Sequence, residues 1–187
     1  MLIYIKNMVC DRCIMAVRQE LGELQLPYKN IQLGEVELAA VPTAEQMHAL
    51  RHHLQHLGFE LLDDKKSMTV EKIKNTIIQL IQQPDEEISN KKLSAILEER
   101  LDMDYNYLSG LFSSIEEITI EKYVILQRIE KVKELLMYGE LTLSDIADQL
   151  GYSSVQHLSQ QFKKTTGLTP SHFRNLKANK RTPLDKL

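Results

Sequence analysis

Between Leu143 and Arg174 two glycines cut the chain into three short amphipathic pieces, and few folds accept that punctuation. Ile146, Ala147 and Leu150 recur at helical spacing and give the first piece one apolar face. Gly151 follows the last of them, at the point where a helix ends cheaply in a left-handed residue without a Cβ. Ser153 or Ser154 then caps a second helix whose apolar face is Val155, Leu158 and Phe162. Gly167 ends that helix, and Thr169 before Pro170 reads as an N-cap followed by proline at the first helical position. Two short helices joined by a tight glycine turn make a helix-turn-helix, the arrangement that lays its second helix in a major groove.

The residues left over on that second helix are polar. Once Val155, Leu158 and Phe162 are set aside, Ser154, Gln156, His157, Ser159, Gln160 and Gln161 remain. Glutamine can pair bidentately with adenine, and serine or histidine can reach bases or phosphates. Lys163, Lys164 and Arg174 are candidate phosphate contacts, although Arg174 could equally tie the last helix to the core. Charge is unevenly distributed in the same sense. Residues 1–64 carry 5 basic and 9 acidic side chains, residues 65–118 carry 7 and 10, and residues 119–187 carry 11 and 7. The chain's net charge of −3 therefore hides a positive C-terminal third, and double-stranded DNA is the expected partner.

The order Ile-Ala-x-x-Leu-Gly-Tyr-Ser-Ser, followed by Phe-Lys-Lys-x-x-Gly-Leu-Thr-Pro-Ser-x-Phe-Arg, resembles the C-terminal signature of AraC-type transcription regulators. That resemblance implies an all-α domain over residues 67–187 with two helix-turn-helix units bridged by a long helix. Thr119–Tyr138 supplies the bridge, with Val124, Ile125, Ile129, Val132 and Leu136 on its apolar side and Gly139 at its end. Val70, Ile73, Ile77 and Leu80 become the stripe of the domain's first helix; read alone, they would also suit a short dimerisation coiled coil, so a homodimer is a candidate assembly. Ser89 is expected to cap the next helix, with Leu93, Ile96 and Leu97 inside. Tyr105–Phe112 then forms the second helix of the first unit. Tyr107 or Leu108, with Leu111 and Phe112, faces inward, and Tyr105, Asn106, Ser109 and Gly110 face the DNA. This first unit departs from the pattern. Its turn reads Leu101-Asp-Met-Asp104 where a glycine is usual, and Ser113-Ser-Ile-Glu-Glu replaces a lysine-rich exit. Acidic groups beside a phosphate backbone cost affinity, so weak contact through Asn106 and Tyr105, or a scaffold role, is expected of it. The basic, proline-broken tail Lys177–Leu187 is expected to fray or to add a phosphate contact.

The N-terminal third has a different grammar. Leu2–Lys6 alternates like a strand, and Cys10-Asp-Arg-Cys13 opens a helix with Ile14, Val17, Leu21 and Leu24 inside until Pro27 breaks it. Ile31–Leu38 alternates again, with a bulge or turn at Gly34. Thr43 and Gln46 form a capping box for a helix with the stripe Met47, Leu50, Leu54 and Leu57, and Phe59–Leu62 is a last, edge strand. Two thiols at a helix N-terminus can converge on one soft ion, and the helix dipole favours their thiolate forms. Copper(I) suits such ligands best, and zinc(II) next; a thiol–disulfide switch uses the same pair. A strand, then Met-x-Cys-x-x-Cys opening a helix, then Leu-Gly-Phe before a final strand, resembles the heavy-metal-associated domain of copper chaperones. The resemblance implies a ferredoxin-like α/β sandwich over residues 1–66, with Cys10 and Cys13 as ligands, Met8 packed beneath the loop and Phe59 near it. The family's usual glycine before the methionine is Asn7 here, and a short middle region leaves the fourth strand rudimentary or missing. His48, His52 and His56 form a polar stripe opposite the core; His56, and less clearly His53, are candidate extra ligands.

Together these readings predict an α+β chain, a small sensor domain fused to an AraC-type DNA-binding domain. Its function is sequence-specific transcription regulation under metal or thiol control. The rival is a metal-handling chaperone whose helical half is an interaction platform. Neither a Ser/His/Asp arrangement nor a glycine-rich phosphate loop after a strand occurs, so an enzyme is not expected. With no apolar run of eighteen residues and no signal-peptide pattern, no membrane role is expected and the location is cytoplasmic.

Overall fold

The computed structural model describes residues 1–82 and 92–178; the expected cap at Ser89 and all but the first two residues of the terminal tail lie outside them. Six elements come first: β1 (Leu2–Lys6), α1 (Asp11–Glu23), β2 (Tyr28–Gln32), β3 (Glu35–Leu38), α2 (Ala44–His56) and β4 (Glu60–Leu62). They build one antiparallel sheet in the order β2-β3-β1-β4. The sheet therefore has four strands rather than three. The alternating run from Ile31 to Leu38 is divided by Gly34, whose φ of 74° turns the chain into a hairpin. Ile3, Ile5, Val36, Leu38 and Leu61 point one way and meet Val17, Leu21, Leu50 and Leu54 from the two helices. Thr43 and Gln46 make the predicted capping box, so α2 starts where its polar signals say. Leu57 is an exception to the expected stripe: as the C-cap residue it leaves the helix face and is 47% exposed.

The helix α3 (Lys65–Gln82) buries more than a stripe. Val70, Ile73 and Ile77 are buried as expected, and so are the polar residues Glu71, Asn75 and Thr76. With its apolar side covered by its own chain, the stripe is not available to a coiled-coil partner. Two compact units result, one from Met1–Ile78 with Leu97–Glu117, the other from Gln79–Ile96 with the chain from Ile118 onward. In the first unit, α4 (Leu93–Leu101) contributes Leu97 and α5 (Tyr105–Glu116) contributes Leu108, Leu111 and Phe112, all buried. Of the two inward candidates on α5, Leu108 is the core residue, and Tyr107 is 54% exposed.

The second unit holds α6 (Ile120–Tyr138), α7 (Leu143–Gln149), α8 (Val155–Thr166) and α9 (Pro170–Ala178). Thr119 caps α6 at its start, and Gly139, at φ 74°, ends it. Its core gathers Ile129, Val132 and Leu136 from α6, Ile146 and Ala147 from α7, and Leu158 and Phe162 from α8. Phe173 of α9 closes on Phe162 edge to face, with ring centroids 5.6 Å apart. Among the described residues no helix is long and apolar enough to cross a membrane.

Candidate nucleic-acid interface

The helix α8 is held from both ends before any partner arrives. Ser154 is its N-cap, and its Oγ accepts from the His157 N–H at 3.1 Å, while Gly167 ends it at φ 79°. Below it, Leu158 and Phe162 are fully buried, and Tyr152 sits in the same core with its hydroxyl donating to Gln161 Oε1 at 2.8 Å. Burial pushes the Tyr152 phenol up from its ordinary value, with a smaller opposing pull from Arg128, so it stays a neutral donor at any ordinary pH. Gln161 is thereby occupied inward. Gln156, His157 and Gln160 are exposed together on the opposite side, Ser159 is half-buried, and Lys163 and Lys164 are exposed in the last turn. The His157 ring is held by two contacts, Nδ1 at 3.1 Å from Ser153 Oγ and an edge-to-face approach to Tyr152. Such a helix can offer amide and imidazole groups to a groove and flexible ammonium groups to its phosphate walls.

Arg174 stands apart from this set. It is half-buried, and its Nη2 donates to the Leu141 carbonyl at 2.8 Å, tying α9 to the turn that precedes α7. Of the two roles its position allowed, the tie is the one the geometry displays.

In the first helix-turn-helix, Asn106 is exposed, and Tyr105 and Ser109 are half-buried. Tyr107 and Gly110 complete the outer face; Tyr107 was missed as a candidate because its aromatic ring suited the core equally well. The acidic residues are used locally. Asp104 caps α5 by accepting from the Asn106 and Tyr107 N–H groups, and Glu98 accepts from the Tyr105 N–H at 2.9 Å. Those contacts occupy the start of α5, where a free helix end would otherwise attract phosphate.

The two units follow one template fifty residues apart. Asp104 and Ser154 are N-caps, Leu108 and Leu158, and Phe112 and Phe162, are core, and Glu117 and Gly167 are left-handed C-caps. On the outer face Asn106, Tyr107 and Gly110 correspond to Gln156, His157 and Gln160, and Ser113 and Ser114 stand where Lys163 and Lys164 do. The copy at α8 therefore carries both the larger polar face and the positive charge. That register, visible in the spacing of Leu, Phe and the caps, is the sequence signal that would have placed Tyr107 outside.

At the other end of the chain Cys10 and Cys13 are free and half-buried, with their sulfurs 3.6 Å apart. Cys10 is the N-cap of α1. The Cys13 backbone N–H beside it holds its thiol below the ordinary value against some desolvation, helped by the Cys13 thiol and, least of all, by Arg12. A tetrahedral zinc ion with Zn–S of about 2.3 Å holds its sulfurs about 3.8 Å apart, so the pair fits a soft ion with little movement. Met8 is fully buried and Phe59 nearly so, in the core beneath that loop. The histidines are not brought to the thiols as a third ligand: among the described residues, no His, Asp or Glu joins both sulfurs within 4.8 Å. His56 instead faces His52, Nε2 to Nε2 at 3.2 Å, and His53 Nδ1 lies 2.7 Å from Glu20 in a separate group with Glu23.

Comparison with known proteins bears on the C-terminal part. Residues 97–176 match a family model described as a helix-turn-helix domain. Over 78 residues, 42% of this chain, the sequence is 35% identical to the uncharacterized HTH-type transcriptional regulator YtdP of Bacillus subtilis, spanning 10% of that protein. Over 83 residues, 44% of this chain, it is 29% identical to the melibiose operon regulatory protein of Escherichia coli K12, spanning 28% of it. Among solved structures, the C-terminal domain of AraT, a response regulator from Geobacillus stearothermophilus, superposes with a TM-score of 0.52 at 27% identity. The superposition covers 60% of this chain and 88% of that one. The similarity thus takes in less than a third of either curated relative.

Proposed function

We propose, from the premise that residues 97–176 form a helix-turn-helix DNA-binding domain of AraC type, that this chain is a sequence-specific regulator of transcription. The observation that carries the proposal is α8: a rigid, capped helix with Gln156, His157 and Gln160 exposed on one face and Lys163 and Lys164 at its end. Base-edge contacts from the first group give selectivity, and phosphate contacts from the second give salt-dependent affinity. Selection from random duplexes should enrich a discrete motif whose affinity falls steeply with salt. Recovery of no motif, with salt-insensitive binding, would remove the proposal.

The finer part of the reading concerns control. The β-α-β-β-α-β order and the β2-β3-β1-β4 sheet support a ferredoxin-like, heavy-metal-associated character for the N-terminal elements. Cys10 and Cys13 would hold copper(I) or zinc(II), and the ion supplies a compact positive charge that gathers two thiolates and releases their protons. The chain's own part is to favour the thiolate of Cys10 at a helix start and to exclude water with Met8 beneath it. Occupancy of the pair, by ion or by thiol oxidation, then alters DNA affinity. Calorimetric titration with copper(I) and zinc(II), with and without the selected duplex, tests this. Equal DNA affinity of the apo, the loaded and the Cys10→Ser protein excludes thiol control and leaves DNA binding standing.

A further inference from the structure

The first compact unit contains a partly buried chain of polar contacts that neither DNA reading nor metal binding requires. It starts at Asn7, three residues before Cys10, which adopts a φ of 73°, a left-handed conformation that few residues other than glycine and asparagine take readily. The Asn7 side chain donates to the Gly58 carbonyl at 3.0 Å, and its backbone N–H donates to Glu71 Oε1 at 3.1 Å. Glu71, on α3, has a side chain only 4% exposed, and Lys74, one turn later, is 3.3 Å from it. The same Lys74 ammonium lies 3.3 Å from Glu116, in the last turn of α5. Around this chain α3 is clamped to the sheet. Its Lys72 lies over the Tyr4 ring and near Glu35, and the Asn75 amide fills the space that a Cβ on Gly34 would need.

Charges this shielded from water depend on partners inside the protein. One ammonium is shared between two carboxylates, and the more buried carboxylate has the Asn7 N–H as its second donor. If Asn7 withdraws, Glu71 depends the more on Lys74, and the ammonium is drawn from Glu116 toward the deeper charge. Glu116 borders Glu117, a non-glycine C-cap at φ 57°, so the end of α5 is already the strained end of that helix.

We propose that Glu71 and Lys74 are positioning residues that couple the Cys10–Cys13 loop to the second helix of the first helix-turn-helix. This rests on the reading of Cys10 and Cys13 as the controlled site and names the route that control takes. When a soft cation gathers the two thiolates, the loop from Asn7 to Cys13 shifts, the Asn7–Glu71 bond changes, and Lys74 redistributes between Glu71 and Glu116. The last turn of α5 loosens or tightens with it, and with it the outer residues Asn106, Tyr107 and Gly110.

The test uses the full chain and zinc(II) as probe, reading backbone hydrogen exchange over residues 111–117 and, in parallel, zinc affinity and duplex affinity. In the parent protein, zinc should change exchange over 111–117 and duplex affinity by at least about fivefold. Glu116→Gln and Lys74→Met should bind zinc with unchanged affinity yet lose the exchange response, and Lys74→Arg, which keeps the cation, should retain it. Glu116→Gln preserves shape at a less buried position, so it remains informative if Lys74→Met fails to fold. A response that persists in Glu116→Gln, or in both variants, overturns the coupling and leaves metal control intact. Zinc bound by the parent protein without any change in exchange or duplex affinity overturns the coupling together with metal control.

Discussion

Two non-glycine residues show most plainly how the two helix-turn-helix units differ. Gly167 ends α8 at φ 79°, whereas its counterpart Glu117 ends α5 at φ 57°, and the preceding turn of the first unit puts Asp102 at φ 54°. A left-handed residue with a Cβ is strained by about 1–2 kcal/mol, less for aspartate, whose side chain can bond locally. Glu117→Gly should therefore stabilise the protein by about 0.5–1 kcal/mol after the added freedom of the unfolded chain is subtracted, and Gly167→Ala should destabilise it by about 1–2 kcal/mol. Denaturant midpoints at constant m-value read both; a destabilising Glu117→Gly would contradict this account. Cys10 gives a chemical counterpart. The Cys13 N–H favours its thiolate, so alkylation of Cys10, followed by peptide mapping, should reach half its maximal rate at a pH below that of an ordinary cysteine. A midpoint at or above the ordinary value would remove the poised thiolate.

At the scale of elements, the start of α7 tests electrostatics. Thr142 and Asp145 form a capping box, with Asp145 Oδ2 accepting from the Thr142 hydroxyl at 2.7 Å and its backbone N–H at 2.9 Å. The Thr142 hydroxyl, and then its N–H, holds the Asp145 carboxyl below its ordinary value. A depressed folded-state value means the cap's contribution is complete above the unfolded value and disappears as pH falls through the folded one. Asp145→Asn should accordingly flatten the acid limb of the stability–pH curve, lowering stability most at neutral pH and least in acid, where the charged cap is already lost. Much at this scale was legible in sequence. Glycine ends, serine and threonine caps and apolar spacing set α2, α6, α7 and α8, because those signals are local. What escaped depends on neighbours distant in sequence. Gly34 read as bulge or turn, and only pairing of Tyr28–Gln32 with Glu35–Leu38 decides for a hairpin. Leu57 kept helical spacing one residue past the helix end. The burial of Glu71 and Asn75 on α3 has no local sequence signal: Glu71 meets the distant Asn7 N–H, and the Asn75 amide packs against Gly34, where a Cβ would stand.

For the whole molecule, the positive C-terminal third and the acidic remainder predict unequal work for the two helix-turn-helix units. Lys163 and Lys164 are the exposed cations at the end of α8, and each phosphate contact contributes about 0.9 to the slope of log affinity against log salt. Lys163→Gln and Lys164→Gln should each reduce that slope by about one while leaving the preferred sequence unchanged. The exposed polar face of α8 was legible from the sequence, since removing Val155, Leu158 and Phe162 leaves it, and so was the departure of the first unit; the local use of that unit's residues was not. There, Tyr107 looked as suited to the core as Leu108, and the capping use of Asp104 and Glu98 cannot be told from surface charge until the helix start is seen. The measurement that most directly tests the central claim compares the two faces on one selected duplex. Gln156→Ala and Gln160→Ala should each relax discrimination at a base pair by about 1–3 kcal/mol, and Asn106→Ala and Tyr107→Ala should leave the preferred sequence intact. Full selectivity in both glutamine variants, with selectivity lost in the α5 variants, would show that the first unit reads the DNA and the second does not.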